Sequence, residues 1–108
     1  MKIKFRRIIS LLITFLTLSI GFDAAAATFR VNTTSDTNDV LPGYGICFNG
    51  ASCSLRAALQ EANALAGADT ILLQRGRYSL SQIGSGENSC LTGDLDITES
   101  VNIVGNGA

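Results

Sequence analysis

Three cysteines, a handful of closely spaced acids and the complete absence of histidine set the chemistry open to this chain. Cys47 and Cys53 flank a short loop containing Asn49 and Gly50, flexible enough to close, and are expected to form a disulfide. A loop that small stabilises by about 2 kcal/mol through entropy lost from the unfolded chain. Cys90 is then left over: it pairs with a partner outside this chain, stays buried and free, or displaces one of the other two. Isolated thiols with no histidine and no Cys-x-x-Cys spacing argue against a metal centre. Asp94 and Asp96 stand two apart on an alternating segment and so share one face, as a glycosidase carboxylate pair would. With Leu95 and Ile97 turned inward, the simpler reading of these acids is the solvent face of a strand. Asp36, Asp39, Asp94 and Asp96 also offer hard oxygen ligands for calcium, but no calcium-loop spacing links them, so no cofactor is expected beyond that weak candidate.

Other constellations are thinner. Serines and threonines are scattered without a histidine or a glycine-rich elbow, so no nucleophile and base can be assembled and no catalytic residue is assigned. Gly84-Ser85-Gly86 lacks the lysine and following helix of a phosphate loop. Arg75 and Arg77 flank Gly76 in a turn, where they contact an acidic sugar or simply face water.

The elements that position these groups begin after a targeting segment. Lys2, Lys4, Arg6 and Arg7 precede an uncharged run from Ile8 to Phe22, and Ala24 to Ala27 supply small residues for a signal peptidase. The run is shorter than the roughly 20 apolar residues that span a bilayer, which favours a cleaved secretory signal over residues 1–27 rather than an anchor. The expected product is secreted or displayed on a cell surface, with no membrane span after cleavage. Beyond residue 27 the charges are Arg30, Arg56, Arg75 and Arg77 against eight acids. That acidic balance argues against nucleic acid as a partner.

Thr28 to Thr33 alternates as a first strand, with Phe29 and Val31 on one side. Ser35 to Ser52 is rich in Asp, Asn and Gly and reads as a long loop. Leu55, Ala58, Leu59, Ala62, Leu65 and Ala66 then recur at helical spacing, with Ser54 as N-cap and Gly67 as a left-handed stop. Arg56, Gln60, Glu61 and Asn63 lie outside that apolar stripe, as on a helix resting on a larger surface. Strands are expected at Thr70–Gln74, Arg77–Ser81 with Tyr78 and Leu80 inward, Asp94–Thr98, and Val101–Val104. Short strands after one helix fit either a small antiparallel sandwich or the opening coil of a parallel β-solenoid. The chain stops directly after a strand, at Gly105-Asn106-Gly107-Ala108, which favours the solenoid and an N-terminal piece of something longer.

Cys53-Ser54-Leu55-Arg56-Ala57-Ala58-Leu59-Gln60-Glu61-Ala62-Asn63, then Gly67-Ala68-Asp69-Thr70-Ile71, and later Thr92-Gly93-Asp94-Leu95-Asp96-Ile97 resemble the CSLREA-type N-terminal domain of exported bacterial proteins. The family motif has Glu where this chain has Ala57, so the reciprocal half of a capping box is missing. The resemblance implies a mainly β fold: an N-terminal cap of one short amphipathic helix plus strands, followed by the first coil of a right-handed parallel β-helix of the pectin-lyase-like kind, truncated. It divides the mature chain into a cap with disulfide loop and capping helix over residues 28–69 and the incomplete β-helix over residues 70–108. The helix would lie across the open end of the β-helix, and the implied partners are the downstream coils, with an extracellular polysaccharide or surface beyond them. The function so implied is a non-catalytic structural cap. The alternatives are the N-terminal fragment of a polysaccharide lyase or glycoside hydrolase whose active site lies on later coils, and a free-standing secreted domain.

Overall fold

The structure, a computed structural model, describes residues 25–48 and 50–107. Four regular elements appear among them: β1 (Thr28–Arg30), α1 (Leu55–Ala64), β2 (Asp69–Leu72) and β3 (Val101–Val104). The three strands form one sheet in the order β1-β2-β3, and both pairings are parallel. Parallel neighbours require long return connections. The first return carries the disulfide loop and α1, whereas the second, residues 73–100, contains neither helix nor strand.

Register aligns Phe29 with Ile71 and Ile71 with Ile103, giving an apolar column across the sheet. Phe29, Val31 and Ile71 face Ala58, Leu59 and Ala62 of α1, and Cys53 and Cys90 complete the buried cluster. Burial along the column falls sharply at its end: Ile71 is 0% exposed and Ile103 is 44% exposed. Two backbone bonds extend the ladder past the strand ends, Val31 N–H to Leu72 O (2.9 Å) and Leu73 N–H to Val104 O (2.8 Å).

Two of the expected strands are absent. Arg77–Ser81 and Asp94–Thr98 are irregular: Tyr78 and Leu95 pack against the core as expected, but Leu80 is 51% and Ile97 55% exposed, so each alternation places only one of its two apolar side chains inward. The physical reason is where their backbone bonds go. Ser81, with Gln82 just beyond it, donates its N–H to the Asp36 carboxylate and Thr98 donates to Asn63 Oδ1, so the last amide of each segment bonds a side chain rather than a neighbouring strand. Tyr78 is half-buried and donates its hydroxyl to Gln74 O (2.9 Å).

The helix is also shorter than its periodicity suggests. Leu65 turns extended at φ −106° and ψ 140°, donating its N–H to Glu61 O, so α1 ends at Ala64. Leu65 is half-buried and Ala66 is exposed, both beyond the helix. Gly67 does adopt a left-handed φ of +112°, but it lies past the residue that caps α1 and redirects the chain into β2 instead.

Candidate functional site

Ser54 starts α1: its hydroxyl accepts from Ala57 N–H (3.0 Å) and donates to Thr37 O (2.5 Å). Every residue of α1 from Arg56 to Ala62 is buried, including the polar ones outside the apolar stripe. The amphipathic helix therefore has its apolar side in the core and its polar side covered by loops.

Arg56 is the centre of that polar side and is 0% exposed. Its Nε reaches Asp36 Oδ1 at 2.6 Å and its Nη2 reaches Asp36 Oδ2 at 3.1 Å, a two-point ion pair. Its remaining donors reach Cys90 O (3.0 Å), Gly93 O (2.6 Å) and Asp94 O (3.5 Å). Asp36 accepts in addition from Ser81 N–H (2.6 Å) and Gln82 N–H (2.9 Å). Burial alone would raise the Asp36 pKa; the Arg56 guanidinium and the two amides outweigh it and hold the carboxyl below its usual range. Arg56 is correspondingly raised, chiefly by its bond to Asp36.

Gln60 extends the lock one turn on. Its Oε1 accepts from Asp39 N–H (2.6 Å), and its amide donates to Asn38 Oδ1 (2.8 Å) and Cys90 O (3.0 Å). Asn63 then bridges Asp96 O and Thr98 N–H. These side chains bind loops that are 20 to 38 residues distant in sequence. Cys90 sits where Arg56 and Gln60 meet, with a left-handed φ of +62° rare outside glycine. It is a buried free thiol, and burial pushes its pKa up, so little of it is thiolate.

Glu61 organises the disulfide loop. One carboxylate oxygen accepts from both Gly43 N–H and Gly45 N–H at 3.0 Å, and Asp39 Oδ1 accepts from Leu41 N–H (3.1 Å). Burial raises the Glu61 pKa, and the Asp39 carboxyl beside it raises it further, against the pull of the two glycine amides. Val40 N–H closes the loop on Phe48 O (2.9 Å), and the expected Cys47–Cys53 bridge fastens its far side. Because the loop turns its amides inward to the acids, its side chains point out. Val40, Leu41, Tyr44, Ile46 and Phe48 are all exposed around a hollow of about 190 Å³.

The four calcium candidates are not brought together. Asp36 is committed to Arg56, Asp39 belongs with Glu61, Asp94 is exposed, and Asp96 lies on the Asn63 side. Among the described residues no three His, Cys, Asp or Glu side chains converge as metal ligands. Arg75 and Arg77 are exposed, and Arg77 lines an open groove of about 500 Å³ with Thr34, Ser35, Thr37, Ser79 and Ser81. A cleft of about 390 Å³ at the ends of the strands has Arg30 as its single charged side chain, beside Val31, Leu72, Leu73 and Val104. Gly84 and Gly93 serve close approach of two loops rather than phosphate binding: a Cβ on Gly93 would stand 2.5 Å from Gly84 O.

Arg56 pairs with an acid, as an arginine on a capping helix more often does than it binds an anion; that the acid is Asp36, and that the pair is the organising centre, is not legible in the sequence. The available signal was a basic residue early in a helix whose upstream loop is rich in acids. No family model, no curated protein and no solved structure matches this chain.

Proposed function

We propose that the chain is a non-catalytic structural module that opens a parallel β-solenoid of an exported protein, as its resemblance to the CSLREA-type domain implies. The observation that carries the reading is the sheet. Three strands stack in parallel, in register and in sequence order, and the second return, residues 73–100, makes the circuit without a helix. A parallel sheet built from helices on its faces does not need such a return, whereas a solenoid coil does. The helix covers the buried β1–β2 end of the apolar column, and the column continues to a half-exposed Ile103 at β3. On this reading α1 is the lid of the stack, the Arg56–Asp36 lock fastens the lid to the first coil, and β3 is the ledge for a following coil.

Amide hydrogen exchange on the oxidised protein tests the proposal. The β2 amides should exchange about a hundredfold more slowly than those of β3, because a strand bonded on one side only opens locally. Equal protection in β2 and β3 would show β3 to be a finished edge and defeat the solenoid reading.

A further inference from the structure

Among the described residues Ala27 is the first held on several sides. Its N–H donates to Asp69 Oδ1 (2.8 Å), its carbonyl accepts from Thr70 N–H (2.8 Å), and its side chain packs against the core cluster. Ala25 and Ala26 before it are exposed. Asp69 is fully buried at the start of β2, and its second oxygen, Oδ2, has no donor among the described residues. Among the described residues no arginine answers it: Arg56 pairs with Asp36, the one ion pair there. A buried carboxylate with one neutral donor is poorly compensated, and a cation with several N–H groups at the Ala27 nitrogen would remedy that.

The sequence supplies such a cation. Ala24 to Ala27 present small residues for two alternative cuts, after Ala26 or after Ala27. A cut after Ala27 would discard both of its hydrogen bonds and its core contact, leaving Asp69 buried with no partner. A cut after Ala26 keeps all three and turns the amide into an α-ammonium at the same position.

We propose that the mature protein begins at Ala27, its leader being removed at the Ala26–Ala27 bond, and that the new α-ammonium forms a buried ion pair with Asp69. A peptidase of the export machinery adds water across the bond: the leader departs with the Ala26 carboxylate, and the Ala27 nitrogen takes up protons to become an ammonium. The boundary thus lies one residue before the one suggested by the alanine run alone. The inference rests on the export part of the reading above and is independent of the solenoid part.

The experiment is N-terminal sequencing and intact mass of the full chain expressed with its own leader and recovered after export. The expected N-terminus is Ala-Thr-Phe-Arg. A chain that retains its leader overturns this inference and the export reading together, whereas a cut at any other bond overturns this inference alone. A second measurement tests the ion pair. Both lysines of the sequence, Lys2 and Lys4, leave with the leader, so within residues 27–108 the α-amine is the single primary amine. Its acylation near neutral pH should be at least about tenfold slower in folded than in denatured protein, the size of effect a one-unit shift in protonation produces. Asp69→Asn should restore most of the reactivity if the variant folds. An α-amine that reacts equally fast in folded and denatured wild type would refute the pair.

Discussion

Arg56 satisfies all its hydrogen-bonding directions without water: one carboxylate gripped at two points, and carbonyls of Cys90, Gly93 and Asp94 on the remaining donors. Removing one member of such a pair leaves the other charge buried and alone, which costs about 3–5 kcal/mol. Asp36→Asn and Arg56→Ala should each lower stability in chemical denaturation by that order. Arg56→Lys should recover little, since an ammonium cannot reproduce the guanidinium fork. The double change Arg56→Met with Asp36→Leu should cost clearly less than the sum of its parts if the penalty lies in the orphaned charge. The same residues set the response to pH. Asp36 has a folded pKa below its ordinary 3.8, so its contribution is present above that value and is lost as pH falls through the folded pKa. Glu61 has a folded pKa above its ordinary 4.5, so its contribution is full below that value and is lost as pH rises through the folded pKa. Both act together between 3.8 and 4.5, and melting temperature followed across pH should show the two groups' combined contribution greatest there. Glu61→Gln, which can still accept from Gly43 and Gly45 while donating to Asp39, should flatten the decline on the alkaline side; an unchanged slope would remove Glu61 as its source.

At the scale of elements, what the residues reveal is what they decide locally. The helix follows from its spacing, and the Cys47–Cys53 bridge from a separation of 6 across a flexible loop. The three strands at Phe29, Ile71 and Ile103 are marked by short runs rich in β-branched and aromatic residues. A helical wheel places Arg56, Gln60 and Glu61 outside the apolar stripe but cannot say what covers them, because the loops that claim them are distant in sequence. The alternation at Arg77–Ser81 and Asp94–Thr98 misled for the complementary reason: a pattern of two has meaning only where a neighbour completes the ladder. The disulfide loop combines both lessons, since its closure is local while its shape depends on Glu61. Replacing Cys47 and Cys53 together by serine should therefore cost about 2 kcal/mol, the loop-entropy share, and leave the glycine amides on Glu61. A loss near zero would mean that Glu61 and the Val40–Phe48 bond already fix the loop in the unbridged chain.

For the molecule as a whole, the sheet is graded rather than uniform. Its core lies at the β1–β2 end beneath α1, where Phe29 and Ile71 are enclosed, and it thins toward β3, where Ile103 and Val104 stand half in water. The gradient makes two chemically identical substitutions unequal. Ile71→Ala opens a cavity in fixed surroundings and should cost about 2–5 kcal/mol in chemical denaturation. Ile103→Ala removes a side chain that water already reaches, leaves no enclosed void, and should cost about 1 kcal/mol or less. The comparison isolates the effect of position in the column, because residue type, strand direction and register are shared. It also reads out what happens at the ledge: any segment or molecule that stacks on β3 would enclose Ile103, and the cost of Ile103→Ala would then rise toward that of Ile71→Ala. Equal costs in the isolated chain would mean that Ile103 is already enclosed and that the sheet has no graded end.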